Sequence, residues 1–408
     1  MSQTLLVLSA LWIEPTSSAA GYRMKQILEL FQDLGYDIHY ASTSKESSVA
    51  YSEGMKLHNI VLNDISFDSF LIELKPDAVL YDRFMLEEQF GWRVREVFPD
   101  ILQVLDTEDL HLLRKARQKV VLNKGLLSEE VLGGDFLKIE EAKREIGAIL
   151  RCDLTIMISR VEMLLLKEEF NISSDQLIYL PFLCDNLREE EASFDKRKGF
   201  VSIGNMFHPP NRDSVFELKK IWRQIRKRTG ADLHIYGAYP NDEILRMNNP
   251  SNGFYVRGWA ENVDTVMQEH RVLLAPLRFG AGLKGKLFDA MRNNLPSITT
   301  WIGSEGMIQA GQQWPGEITS SSEEFVQKAS LIYNSESLWN SSSSQCRSIL
   351  ETNFSKERAD EFLIKIPEVQ RNLQAHRKRF FLGEILKSDL QAKHKYLSKF
   401  IEIKNSKN

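Results

Sequence analysis

From Thr4 to Ser9 the chain reads TLLVLS, an apolar run of strand length with no alternation. A run like that is a strand buried on both faces, the habit of parallel sheets. The small-residue loop PTSSAAG follows. The period then changes: Met24, Ile27, Leu28 and Phe31 recur at i, i+3, i+4 and i+7, and Gly35 ends the helix. Residues 38–41 return to strand. Strand, loop, helix, strand is a βαβ unit, so a parallel sheet is expected. Residues 78–81, 101–105 and 154–158 add short apolar strands. Residues 108–150 are charged and helical in pattern, with breaks at 124–125 and 133–134.

Pro181 to Gly199 reads as a connector, with the acidic run Glu189, Glu190, Glu191 and the basic run Lys196, Arg197, Lys198. Beyond it the pattern restarts. Strands are expected at 200–203, 233–236, 255–256, 272–275 and 297–300, with a helix from about Asp213. Ser341 to Ser344 reads as a brief polar loop. The two halves show no self-similarity, so this is a pair of α/β domains and not a repeat array. The assignment is a first domain at 1–185, a linker at 186–199, a second domain at 200–350 and a helical C-terminal segment at 351–408.

Composition adds exclusions. The 408 residues are 43% hydrophobic and 26% charged, ordinary for globular chains. A net charge of -4 offers no excess for nucleic acid. Cys152, Cys184 and Cys346 lie far apart without CxxC spacing, which argues against a disulfide framework or a zinc site and for a reducing compartment. The N-terminal apolar run is too short to span a bilayer and has no basic residue before it, so a cytoplasmic location is expected.

The chemistry concentrates in VLLAPLRFGAGLKGKLFDAMRNNLPSITTWIGSEGM, residues 272–307. A strand runs into the turn Gly280-Ala281-Gly282, and a helix follows. Glycines allow a ligand close to the backbone, and helix N-termini accept anions. Lys284 and Lys286 oppose the helix dipole there at about 0.3–1 kcal/mol each, a conflict that a bound diphosphate removes. A packing turn with solvated lysines is the competing reading. Asp289, one turn on, can accept two ribose hydroxyls, and Ser304, Glu305 and Gly306 can add backbone NH groups. In the first half, DTEDLHLLR brings Asp106, Asp109, His111 and Arg114 to the loop after a strand. His111 there can hydrogen-bond a transferred sugar or an acceptor hydroxyl, or else pack. His208 faces the same cleft from the second half. No carboxylate or histidine cluster has metal-ligand spacing, and the Glu108–Asp109 pair and the Glu189 run read as solvated charge, so no metal is expected. Hydrolase elbow, P-loop and zincin motifs are absent.

PLRFGAGLKGKLFDAM with LPSITTWIGSEGM resembles the nucleotide-binding half of retaining glycosyltransferases of the GT-B fold, in the bacterial family 4-like subgroup with a G-x-G-x-K-x-K turn. FVSIGNMFHPPNRDSV, LHIYGAYP and YVRGWAENV resemble the strands and loops of that half, and PTSSAAGYRM the first loop of the acceptor half. LDTEDLHLLRKAR and CDLTIMISRVEMLLL also look like subgroup features. The resemblance implies two Rossmann-like parallel-sheet domains facing across a cleft. It implies a nucleoside-diphosphate sugar, UDP- or GDP-linked, as donor substrate with no other cofactor, and a glycan, lipid-linked or small-molecule acceptor, as in bacterial polysaccharide synthesis. Lys284, Lys286, Gly280 and Gly282 would hold the diphosphate and Asp289 the ribose, with Gly21, Gly204, Asn205, His208 and Asn211 lining the donor side. The family pairs that last carboxylate with a Glu eight residues earlier; here that position is Ala281. A GT-B sugar-nucleotide epimerase and a non-catalytic GT-B-like subunit therefore stay open as alternatives.

Residues 371–408 hold ten Lys/Arg against three acids, net +7 in a chain of -4. One helical basic segment is expected, with apolar clusters at Phe380, Phe381, Ile385, Leu386 and again at Tyr396, Leu397, Phe400, Ile401. Return of this segment to the acidic first domain is the favoured reading. Contact with the inner face of an anionic membrane is the other.

Overall fold

The computed structural model describes residues 3–16, 18–45, 51–124, 139–184, 193–389 and 391–405. The break expected at 133–134, Gly125 and the acidic run at 189–191 lie outside the described residues.

Among the described residues there are two sheets. The first holds β1 (Gln3–Ser9), β2 (Tyr36–Ser42), β3 (Met55–Asn59), β4 (Ala78–Asp82), β5 (Leu102–Asp106), β6 (Leu154–Met157) and β7 (Leu177–Tyr179), in the order β3-β2-β1-β4-β5-β6-β7. The second holds β8 (Phe200–Ile203), β9 (Leu233–Tyr236), β10 (Phe254–Gly258), β11 (Val272–Ala275), β12 (Ser297–Thr300) and β13 (Gly316–Thr319), in the order β10-β9-β8-β11-β12-β13. Every neighbouring pair is parallel. The unalternating apolar runs have their cause here. In β1, Leu5 and Val7 join one core cluster and Leu6 and Leu8 the cluster on the opposite face. In β11, Val272 and Leu274 face one helix layer while Leu273 and Ala275 face the other.

Three strands escaped the sequence pattern. β3 is an edge strand with mostly exposed or half-buried side chains, and β7 and β13 span three and four residues. The helix expected from Asp213 starts at Pro209, where a proline costs no helical hydrogen bond. Ser341 to Ser344 is a correction: these serines lie inside the Glu336–Asn353 helix. Ser343 is buried and donates to the Asn294 carbonyl at 2.8 Å, so its hydroxyl supports the packing of that helix.

The C-terminal segment is also broken, into helices Leu373–Arg379, Phe381–Asp389 and Gln391–Asn405. It runs back along the first domain. The preceding Asp360–Arg371 helix packs on β7 and places Phe362, Ile366 and Val369 in the core with Leu5 and Val7. Arg377 pairs with buried Asp153 at 2.7 Å and donates to the Ile101 carbonyl. Gly383 sits against the first domain, where a Cβ would stand 2.2 Å from the Leu150 carbonyl oxygen.

Candidate active site between the two sheets

Each strand order reverses once: β1 and β4 are neighbours that leave in opposite directions, as are β8 and β11. Loops diverge at such a switch point and leave a crevice at the carboxyl ends of the strands. The crevices of the two sheets face each other and form one cleft of about 810 Å³. The loops after β1, β4 and β5 line one wall. Those after β8, β10 and β11 line the other.

On the second-domain wall, Gly280 and Gly282 have φ of 155° and 62°, values that side chains resist. Gly204 leaves room for Asn211, whose amide carbon would lie 2.7 Å from an added Cβ. Asn211 donates to the Asn205 carbonyl at 2.8 Å and accepts from Lys286 Nζ at 2.8 Å. Lys284 is the N-cap residue of the Gly285–Arg292 helix, and its ammonium donates to the Ala281 and Gly282 carbonyls at 3.1 and 2.6 Å. Among the described residues neither lysine forms an ion pair: their partners are neutral oxygens. Burial, then the charge of Lys284, pushes Lys286 down to about 7. Burial pushes Asp289 up to about 7, against the pull of Arg292 at 3.6 Å.

The first-domain wall is built differently. Arg114 donates to both oxygens of Asp109 and, with His111, holds that carboxyl below its usual range despite burial. His111 opens the His111–Lys124 helix; its Nε2 lies 3.8 Å from Asp109. The backbone NH groups of His111 and Leu112 donate to the Glu145 carboxyl at 3.0 and 2.7 Å, so a neighbouring helix caps this one. Burial pushes Glu145 up to about 8. Burial also pushes His111 down to about 3 and His208 to about 4, so both rings are neutral hydrogen-bonding groups near pH 7. Arg83 and Glu108, at the ends of β4 and β5, line the cleft with φ of 71° and 60°. Two such non-glycine residues side by side are strain concentrated at a site.

The expected residues divide. Gly204, Asn205, His208, Asn211, Gly280, Gly282, Lys284, Lys286 and Asp289 line one wall, and Asp109, His111 and Arg114 the other. Glu108 and Asp109 are partly buried in the cleft and not solvated surface charge. Asp106 is a correction: it is fully buried beneath the wall, paired with Arg23 at 3.0 Å. Gly21 is another: it does not line the cleft, and a Cβ there would stand 2.3 Å from the Glu14 carbonyl oxygen, so its role is close packing. Ser304, Glu305 and Gly306 also fall outside the lining. Glu305 instead takes a two-point ion pair from Arg117 of the first domain, 2.7 Å at each contact, and Arg117 also donates to the Gly280 carbonyl. A second bridge joins the domains: Glu162 accepts from Leu110 N and from Gly282 N at 3.1 and 2.7 Å. The Gly282 NH is thereby engaged by a carboxylate. The sequence assigned no role to Arg83, Arg117, Glu145 or Glu162. Arg117 and Glu162 do fall in the stretches LDTEDLHLLRKAR and CDLTIMISRVEMLLL, and that was their only signal. Among the described residues no three His, Cys, Asp or Glu side chains are placed to hold a metal ion.

Residues 197–335 match the family model described as glycosyl transferases group 1. No curated protein is significantly similar to the chain. Solved structures of the same shape include a sucrose-phosphate synthase from Thermosynechococcus elongatus, at TM-score 0.68, 13% identity, 91% of this chain and 99% of that one. Another is Anabaena HepE in complex with UDP and glucose, at TM-score 0.65, 10% identity, 91% and 100%. A third is the pneumococcal O-GlcNAc transferase GtfA in complex with UDP and GlcNAc, at TM-score 0.63, 13% identity, 90% and 99%. At such identities the likeness is one of fold: two Rossmann-like parallel-sheet domains in the GT-B arrangement.

Proposed function

We propose that the protein is a glycosyltransferase: it moves a sugar from a nucleoside-diphosphate sugar in the second domain to an acceptor hydroxyl in the first, with retention at the anomeric carbon and without a metal. The observation that carries the reading is the pair of partly buried lysines at the start of the Gly285–Arg292 helix, with no carboxylate partner. A partly buried cation without an ion pair is costly unless an anion arrives, and among the described residues no acid acts on Lys286. A diphosphate supplies it, and Asp289 lies one turn away for the ribose. The group 1 family match over this half agrees.

In the reaction the bond from the anomeric carbon to the diphosphate oxygen breaks and a bond to the acceptor oxygen forms. Negative charge grows on the departing diphosphate, where Lys284, Lys286 and the helix terminus stabilise it; such preorganised donors contribute roughly 2.7–4 kcal/mol apiece elsewhere. The acceptor proton passes to that phosphate oxygen. Neutral His111 orients the sugar or the acceptor hydroxyl by hydrogen bonding. UDP and GDP fit the wall equally in chemistry, and the inner side of the cell is the compartment for such donors.

A second reading has its own support. Ala281 is buried where the resemblance expects a Glu, and Glu162 occupies the Gly282 NH. Both fit a subunit that binds nucleotide sugar without turning it over. Nucleotide release from UDP- and GDP-sugars, with and without an acceptor extract, separates them. Release that the acceptor accelerates supports the transferase. Binding without release gives the cleft to the subunit.

A further inference from the structure

The last two helices are amphipathic in an unusual sense. In Gln391–Asn405 the polar side faces the protein: Lys395 pairs with Glu96 at 2.7 Å, Ser398 is buried and accepts from Arg93 at 3.1 Å, and Glu402 pairs with Arg93. The apolar side faces out. Tyr396, Leu397 and Phe400 are 68%, 55% and 65% exposed, at i, i+1 and i+4. The adjoining Phe381–Asp389 helix exposes Phe381, Leu382 and Ile385 in the same way. A helix that meets its own domain through ion pairs and turns aromatics outward has its apolar partner outside the chain.

Charge says what that partner is. The exposed charges beside these side chains are Lys378, Lys399 and Lys404, together with Arg379, which pairs with Asp175. Glu402 is turned inward, and Glu384 is taken by Lys387. Where the tail meets the first domain there is a pocket of about 540 Å³ lined by Tyr396 and by Arg95, Arg377, Lys387 and Lys395, each of which is paired with a carboxylate of Glu87, Asp153, Glu384 or Glu96, so the free positive charge lies on the outward lysines. A second copy would bring the same basic face and be repelled. Among the described residues no helix is long and apolar enough to cross a membrane. We infer that the outward face of the Phe381–Asp389 and Gln391–Asn405 helices docks on the surface of an anionic phospholipid bilayer, its aromatics in the interface and its lysines among the headgroups. The inference stands apart from the sugar-transfer reading, because it needs no catalysis.

Full-length protein is sedimented with vesicles of phosphatidylcholine alone and of phosphatidylcholine mixed equally with phosphatidylglycerol. Binding to the mixed vesicles alone is expected, and added salt should weaken it. Tyr396→Ser with Phe400→Ser should weaken it at least about tenfold through lost apolar burial. Lys399→Glu with Lys404→Glu should weaken it by about thirtyfold or more. All four positions face outward, so both variants should keep the parent melting temperature. Failure of the parent to bind mixed vesicles overturns the inference. So does binding to both vesicle types that the lysine variant does not change. A concentration-dependent dimer, abolished by the Tyr396 and Phe400 changes and formed without vesicle binding, gives the face to a second copy and also overturns it.

Discussion

The two walls of the cleft treat charge in opposite ways. On the first-domain side ionised groups have partners: Asp109 with Arg114, Asp106 with Arg23, and Arg117 reaching across to Glu305. Glu145 and Glu162, which form no ion pair among the described residues, are capped by backbone NH groups. On the second-domain side Lys284 and Lys286 hydrogen-bond only neutral oxygens; Glu305, Glu162 and Asp109 favour the charge of Lys284 from a distance, and among the described residues no acid acts on Lys286. The first arrangement is what folding needs. The second leaves an electrostatic debt for a ligand to settle, and sites that bind or react are commonly bought at such local cost. The contrast supports the proposed donor site without reference to any relative.

That contrast can be broken from either side. Glu305→Ala strips a buried guanidinium of its acid and should cost about 3–5 kcal/mol, read as a large fall in melting temperature. If that variant melts like the parent, the paired wall is not structural. Lys286→Ala should show the reverse. Its stability should hold or rise, while turnover falls about a hundredfold or more with a smaller change in donor affinity. Unchanged turnover in Lys286→Ala and in Lys284→Ala would remove the diphosphate assignment.

A middle-sized effect belongs to His111. His111→Ala should slow transfer roughly tenfold to a hundredfold, below the full range for acid–base groups because a neutral imidazole here only orients. Nucleotide affinity should not move. Normal transfer by a folded variant returns His111 to packing against Phe84, whose ring it meets edge-on at 5.4 Å.

The pH dependence is gentler. The free site's Lys286 is held near 7, and an anion beside it raises that value. Below that pH the lysine is charged both free and bound. As pH rises above it, the free site loses its proton while the complex keeps it. Diphosphate affinity should then weaken by up to about tenfold per pH unit. Lys286→Arg should flatten the profile, because a guanidinium stays charged. The smallest effect expected is that of EDTA: turnover should be the same with and without it. Loss that only Mg²⁺ or Mn²⁺ restores would mean a metal takes part.

Periodicity exposed the two α/β halves because their central strands are buried on both faces, as at Leu5–Leu8. It missed β3, β7 and β13 because short or half-exposed strands carry too few apolar positions. The serine run misled through polarity: Trp339, Cys346, Ile349 and Leu350 bury the same helix around it. In the site, glycines and lysines were visible because their chemistry is unusual at a helix start. Arg83 and Glu108 were not, since a positive φ at such residues leaves no mark on sequence. Arg117 and Glu162 act across the domain gap, and pairing over so long a separation cannot be read from one chain. Asp106 and Glu305 were misplaced for the converse reason: sequence put them beside the cleft, and their guanidinium partners draw them away from it.

The central claim is that the two lysines without ion pairs are a diphosphate site, and titration calorimetry tests it most directly. UDP, GDP, UMP and GMP are titrated into the parent protein and into Lys286→Ala at pH 7. The account predicts that one of the diphosphates binds the parent at least about tenfold more tightly than its monophosphate, and that Lys286→Ala removes most of that difference. Equal affinity for mono- and diphosphate, or a preference for diphosphate that survives in Lys286→Ala, would contradict it.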